Sequence, residues 1–136
     1  MSMVVDCSIV IRLLAARRED DLLRRRLARR VHAPALVDAE VSSVVRGLSI
    51  TSKPGVRITP ERAERMLVRY QALRITRHAM APLQSRAYAL RNNFTAYDAM
   101  YVALAEALDL PLLTDDAKFA KAVGHNARII HYPRDE

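Results

Sequence analysis

Two short apolar runs that each end in acid constrain this chain more than anything else in it. Met3-Val4-Val5 stops at Asp6, and Pro111-Leu112-Leu113-Thr114 stops at Asp115-Asp116. Each run is too short for a helix and, with no polar alternation, reads as a strand buried on both faces. Between and around them lie helical patterns. Ser8 precedes Ile9, Val10, Leu13 and Leu14 at helical spacing, and a charged, solvated helix with a thin Leu22, Leu23, Leu27 stripe is expected over 17–30. In that helix Asp20 should pair with Arg24, and Asp21 with Arg25. Pro34 suits a first helical position, opening a third helix whose face is Val37, Val41, Val44, Val45 and Leu48.

The stretch 49–59, with Lys53-Pro54-Gly55, reads as a loop, ended by the Thr59-Pro60-Glu61 start of a further helix. Ile75 and Thr76 form a short strand, and 79–90 is helical in pattern. Thr95 opens a nearly all-apolar, hence buried, helix through Leu108. A short helix over 117–123 stops at Gly124, and 128–132 is the last strand. Short apolar strands alternating with helices imply an α/β fold with a parallel sheet covered on both faces. Such sheets place ligands beyond the carboxyl ends of their strands, where Asp6 and Asp115-Asp116 fall.

At 136 residues, half of them hydrophobic, the chain is expected to form one domain over 1–136. Its longest apolar stretches are too short to cross a bilayer and no secretory signal pattern opens it, so a soluble, cytoplasmic protein is expected. The single Cys7 allows no intrachain disulfide and no thiolate zinc cluster, so any metal must be held by oxygen. Basic residues number 22 against 15 acids, a net charge of +7, which favours a nucleic acid or an acidic protein as partner.

Inside that basic chain, four acids lie where carboxylates are costly unless something binds them: Asp6, Glu40, Asp98 and Asp116. Glu40 follows Val37 by three residues and precedes Val41 by one, bordering the buried stripe of its helix. An ion pair with one of the arginines would also satisfy it. Asp98 fits a capping box with Thr95, Asp116 fits a simple N-cap, and Asp6 fits a strand terminus. Each local explanation stands alone; their recurrence at matching topological places points to one pocket that binds a divalent cation and works on a polyanion. His32, His78, His125 and His131 lack ligand spacing and are expected in surface or capping roles. Tyr97 and Tyr101 share a helix face and are expected in the core. Arg24, Arg25, Arg46, Lys53 and Arg57 are candidates to guide phosphates.

Val5-Asp6-Cys7-Ser8, Ala33-Pro34-Ala35-Leu36-Val37-Asp38-Ala39-Glu40-Val41, Thr95-Ala96-Tyr97-Asp98-Ala99-Met100-Tyr101-Val102-Ala103-Leu104-Ala105 and Leu112-Leu113-Thr114-Asp115-Asp116 closely resemble, in order, the four blocks of PIN-domain proteins. The likeness is greatest to the VapC ribonuclease toxins of toxin-antitoxin pairs. The resemblance implies a three-layer α/β/α sandwich with a central, mostly parallel sheet. It implies that acids at Asp6, Glu40, Asp98 and Asp116 bind Mg²⁺ or Mn²⁺ to cut RNA, with the small hydroxyls of Ser8 and Thr114 lining the site. Asp115 stands where the family usually has another residue, so either Asp115 or Asp116 could face the metal; the Thr-x-Asp spacing from Thr114 favours Asp116. The family further implies a VapB-type antitoxin whose C-terminal segment covers the cleft, a homodimer, and transfer or ribosomal RNA as substrate. The alternatives are a noncatalytic RNA- or partner-binding domain of the same fold and a receiver-like signalling domain. The latter fits poorly, because receivers place two acids after the first strand and Asp6 is alone.

Overall fold

The computed structural model describes residues 2–15, 17–27 and 30–132. Five strands form one sheet: β1 (Val4–Val5), β2 (Val31–Pro34), β3 (Ile75–His78), β4 (Leu112–Thr114) and β5 (Ile129–His131), ordered β3-β2-β1-β4-β5. Every pairing is parallel, with Val4 in register with His32 on one side and Leu112 on the other. The helices are α1 (Cys7–Ala15), α2 (Asp21–Arg26), α3 (Val37–Ile50), α4 (Pro60–Ala72), α5 (Gln84–Ala89), α6 (Ala96–Leu108) and α7 (Ala117–Lys121).

The strand order dictates the layers. From β1 to β2 to β3 the chain moves toward one edge of the sheet. It then returns past β1 and moves toward the other edge through β4 and β5. Since parallel crossovers are right-handed, α1 to α4 cover one face and α5 to α7 the other, which is the expected three-layer α/β/α sandwich. The reversal falls between β1 and β4. Connections leave these neighbouring strands in opposite directions, opening a crevice just beyond their carboxyl ends.

The core is built from β1 and β4, both fully covered, with Ile9, Val10 and Leu14 of α1, Val37, Val41 and Val45 of α3, and the stretch Tyr101–Ala105 of α6. Val44, expected on the buried face of α3, is exposed at its rim. The apolar α6 is buried through its middle as expected, and ends at Asp109, whose left-handed conformation (φ 52°) closes the helix. Asp tolerates this region better than most residues.

Several expected boundaries shift. Residues 31–34, where no strand was expected, form β2, and Pro34 ends that strand instead of starting α3. Proline cannot donate to a ladder but is tolerated at a strand end, and the next amide resumes pairing, Ala35 N–H to His78 O at 2.8 Å. The helix expected over 17–30 is a 3₁₀ turn (Arg18–Asp20) followed by the six-residue α2; residues 28 and 29 lie outside the described residues. Its expected ion pairs do not form. Asp20 is fully buried against Arg12, and Asp21 pairs with Arg24 three residues on. The segment 79–90 is likewise a 3₁₀ turn and the short α5, and α7 ends at Lys121, before Gly124.

Candidate active site

Asp6 is the buried centre of the crevice, 5 % exposed. As β1 ends, its Oδ1 accepts hydrogen bonds from Ser8 Oγ (2.6 Å) and the Ile9 amide (3.2 Å), so the residue also fixes the start of α1. Its Oδ2 accepts from the Thr114 hydroxyl at 2.5 Å. Burial raises the carboxyl above its ordinary range; these hydrogen bonds oppose that rise, and the Asp116 charge adds to it. The two hydroxyls do further work. Ser8 Oγ accepts the Asp115 amide (3.1 Å) and Thr114 Oγ1 accepts the Asp116 amide (3.0 Å). Asp6 and the corner after β4 are thereby locked together through two small side chains.

Glu40 enters from the first turn of α3, half-buried, with Oε1 accepting the Tyr101 hydroxyl at 2.5 Å. Burial raises its carboxyl, the Tyr101 bond lowers it, and the charges of Asp98 and Asp6 raise it again. Asp98 enters from the first turn of α6, where its amide donates to Thr95 Oγ1 (3.4 Å) as an N-capped turn requires. Its carboxylate leaves the cap and pairs with Lys118 Nζ at 2.8 Å. Asp116 is the N-cap of α7: Oδ1 accepts the Lys118 amide (3.0 Å), while Oδ2 lies 3.3 Å from Lys118 Nζ. The bond to Asp98 is the main reason the lysine is held above its usual range.

Four elements distant in sequence thus bring Asp6, Glu40, Asp98 and Asp116 into one electrostatic neighbourhood. Asp115 faces Arg12. Its Oδ2 lies 3.1 Å from Arg12 Nη1, an ion pair that lacks hydrogen-bond alignment, and Arg12 also binds Asp20 Oδ1 through Nε (3.1 Å) and Nη2 (2.6 Å). The Tyr132 ring lies 4.8 Å from the same guanidinium.

Beside the acids runs a mainly apolar cleft of about 1380 Å³, with Cys7, Ser8, Glu40, Tyr97, Met100 and Asp115 in its walls. The Cys7 thiol is pushed up to about 12 by burial and then by the charges of Glu40 and Asp6.

The donor set fits a hard divalent cation, since it offers only carboxylate and hydroxyl oxygens and already draws an ammonium between two of its members. Among the described residues, however, no three acidic, histidine or cysteine side chains converge closely enough to hold an ion as they stand. The reason is visible in their partners. Asp6 is turned to Ser8 and Thr114, Glu40 to Tyr101, and Asp98 and Asp116 to Lys118.

Three residues of this site escaped sequence reasoning: Tyr101 as the partner of Glu40, Arg12 as the partner of Asp115, and Lys118. Tyr97, expected in the core, is 66 % exposed at the cleft, and only Tyr101 is buried. His32 and His78, expected in surface or capping roles, join β2 and β3 through a 2.9 Å contact between Nδ1 and Nε2. Of the candidate phosphate guides, Arg57 is spent on the Thr51 and Ile50 carbonyls and Arg24 on Asp21 and the Arg17 carbonyl.

A parallel sheet with an acid-lined crevice at its reversal point defines a class, and comparison with known proteins gives that class its family. The PIN domain matches residues 3–124, and the chain therefore belongs to the PIN-domain family. Ribonuclease VapC12 of Mycobacterium tuberculosis is 35 % identical over 127 residues, covering 93 % of this chain and 95 % of the relative. Ribonuclease VapC1 of the same organism is 38 % identical over 124 residues, covering 89 % and 90 %. Among solved structures, a chain of a toxin-antitoxin complex from Klebsiella pneumoniae superposes with a TM-score of 0.66 at 19 % identity, covering 96 % of this chain and 98 % of that one. The protein PAE2754 from Pyrobaculum aerophilum gives 0.68 at 21 %, covering 95 % and 83 %. At those identities the two structures speak for the fold alone.

Proposed function

We propose that this chain is a metal-dependent endoribonuclease, the toxin of a type II toxin-antitoxin pair, acting in the cytoplasm as one domain over residues 1–136. The observation that carries the reading is the gathering of Asp6, Glu40, Asp98 and Asp116 from four separate elements into one crevice of a molecule with net charge +7. A basic body draws RNA in, and an acidic pocket holds the cation that acts on it. The names of its VapC relatives point the same way.

In this reading Asp6 and Asp98 are the principal ligands of Mg²⁺ or Mn²⁺, and Glu40 and Asp116 complete the shell or orient the attacking water. When bound, the divalent ion supplies charge stabilisation for the phosphoryl oxygens and activates water. The chain supplies the rest. Ser8 and Thr114 hold Asp6 in one rotamer, Tyr101 orients Glu40, and Arg12 holds Asp115 aside so that Asp116 is the member of the pair left to the site. The apolar cleft beside Glu40 is the place for the C-terminal segment of a VapB-type antitoxin, and the toxin acts as a homodimer.

Purified protein incubated with total bacterial RNA, with Mg²⁺, Mn²⁺ or excess EDTA and beside Asp98→Asn, tests this. Discrete new RNA ends that need the metal and vanish in the variant are expected, and their sequences name the target. Intact RNA with binding retained would refute catalysis in favour of a noncatalytic RNA-binding domain.

A further inference from the structure

Among the described residues, Lys118 is the one cation that touches two of the four acids. Its Nζ lies 2.8 Å from Asp98 Oδ2 and 3.3 Å from Asp116 Oδ2, bridging the first turn of α6 to the cap of α7. The placement is built into the chain. Lys118 sits two residues after Asp116, and its amide donates to Asp116 Oδ1 at 3.0 Å, so the turn that caps α7 also delivers the ammonium to the carboxylates. Arg12, another cation near the crevice, is committed to Asp20 and Asp115.

We propose that Lys118 is an internal counter-cation of the acidic site, which a divalent ion must displace from Asp98 and Asp116, so that this lysine sets the metal affinity. The proposal rests on reading the four acids as a metal site and adds to it a residue that none of the motifs includes. The physical case is competition. A divalent ion and an ammonium about 3 Å apart would repel strongly, so both cannot hold the same two carboxylates. The lysine side chain is 58 % exposed, so it can swing into water without disturbing the core, and its two ion pairs are correspondingly weak. Displacing it should therefore weaken metal binding about three- to tenfold, the range expected of partly exposed pairs. In exchange the two acids are kept neutralised whenever metal is scarce, sparing the crevice their mutual repulsion.

The test is titration calorimetry of Mn²⁺ into the wild-type chain, Lys118→Met and Lys118→Arg, with melting curves to show that all three are folded. Lys118→Met should bind Mn²⁺ three- to tenfold more tightly, and Lys118→Arg, which keeps the charge, should stay near wild type. Equal or weaker binding by Lys118→Met while wild type still binds would overturn the proposal alone. Absence of Mn²⁺ binding to both proteins would overturn it together with the metal-site reading on which it rests.

Discussion

Replacing Arg12 with methionine should be the most damaging single change within reach of the candidate site that leaves the four acids intact. The guanidinium is 7 % exposed and serves two carboxylates that are themselves buried, Asp20 at 0 % and Asp115 at 5 %. Methionine fills much of the same volume, so packing is largely kept and the cost is electrostatic. Two carboxylates would remain out of water. Asp20 would keep one distant contact, Arg17 Nε at 3.4 Å, and Asp115 would lose its guanidinium. Breaking a buried pair from one side costs about 3–5 kcal/mol, because the abandoned charge is still buried. For a domain of this size that is a fall of roughly 10–17 °C in melting temperature. Urea unfolding followed by circular dichroism measures it directly.

Two companions identify the cause. Asp20→Asn leaves Arg12 its Asp115 partner and should cost less than Arg12→Met. The triple variant Arg12→Met, Asp20→Asn, Asp115→Asn leaves no charge buried and should be more stable than Arg12→Met, with part of the loss kept by the amides now buried beside methionine. An Arg12→Met protein within about 1 kcal/mol of wild type would refute the reasoning, for the network would then be relaxed by water or by rearrangement. So would a triple variant no more stable than the single one, which would point to packing as the source of the loss.

Two further outcomes follow from the same geometry. Raising Mn²⁺ to a hundred times its dissociation constant should stabilise the folded chain by about 2.7 kcal/mol, a rise of several degrees in melting temperature, and a flat profile across the titration would count against a metal site. Glu106 accepts both Arg86 Nε (2.7 Å) and Nη2 (2.9 Å) and the Asn126 amide (2.7 Å), and the Arg86 bond chiefly holds its carboxyl below the usual range. Its contribution is therefore present above the unfolded value of about 4.3 and lost as pH falls through the lower folded value. Glu106→Gln should cost about 2 kcal/mol at pH 7 and progressively less in acid, and a loss independent of pH would show that charge is not the source.

How far the sequence revealed this arrangement depends on whether a residue's role is set along the chain or across it. β1 and β4 announce themselves as apolar runs, and α6 as an apolar helix behind a Thr95 cap, because burial on both faces leaves no polar alternation to misread. β2 is hidden for the opposite reason. It is four residues long, carries His32 in its interior and ends on Pro34, and each feature is explained only by β3 beside it, through the His32–His78 contact and the hydrogen bond that resumes at Ala35. The acids divide in the same way. Asp6, Asp98 and Asp116 each occupy a recognisable local position, at a strand end or a helix start, and those positions lie together because the strand order reverses between β1 and β4. Their partners hold no such positions. Arg12 reads as one more charge on α1 until Asp20 and Asp115 fold around it, and Lys118 reads as a solvated lysine until α6 brings Asp98 to it. A carboxylate motif can thus mark where the acids gather, while the cations paired with them, Arg12 with Asp115 and Lys118 with Asp98 and Asp116, are set by tertiary contacts that leave no mark on the local pattern.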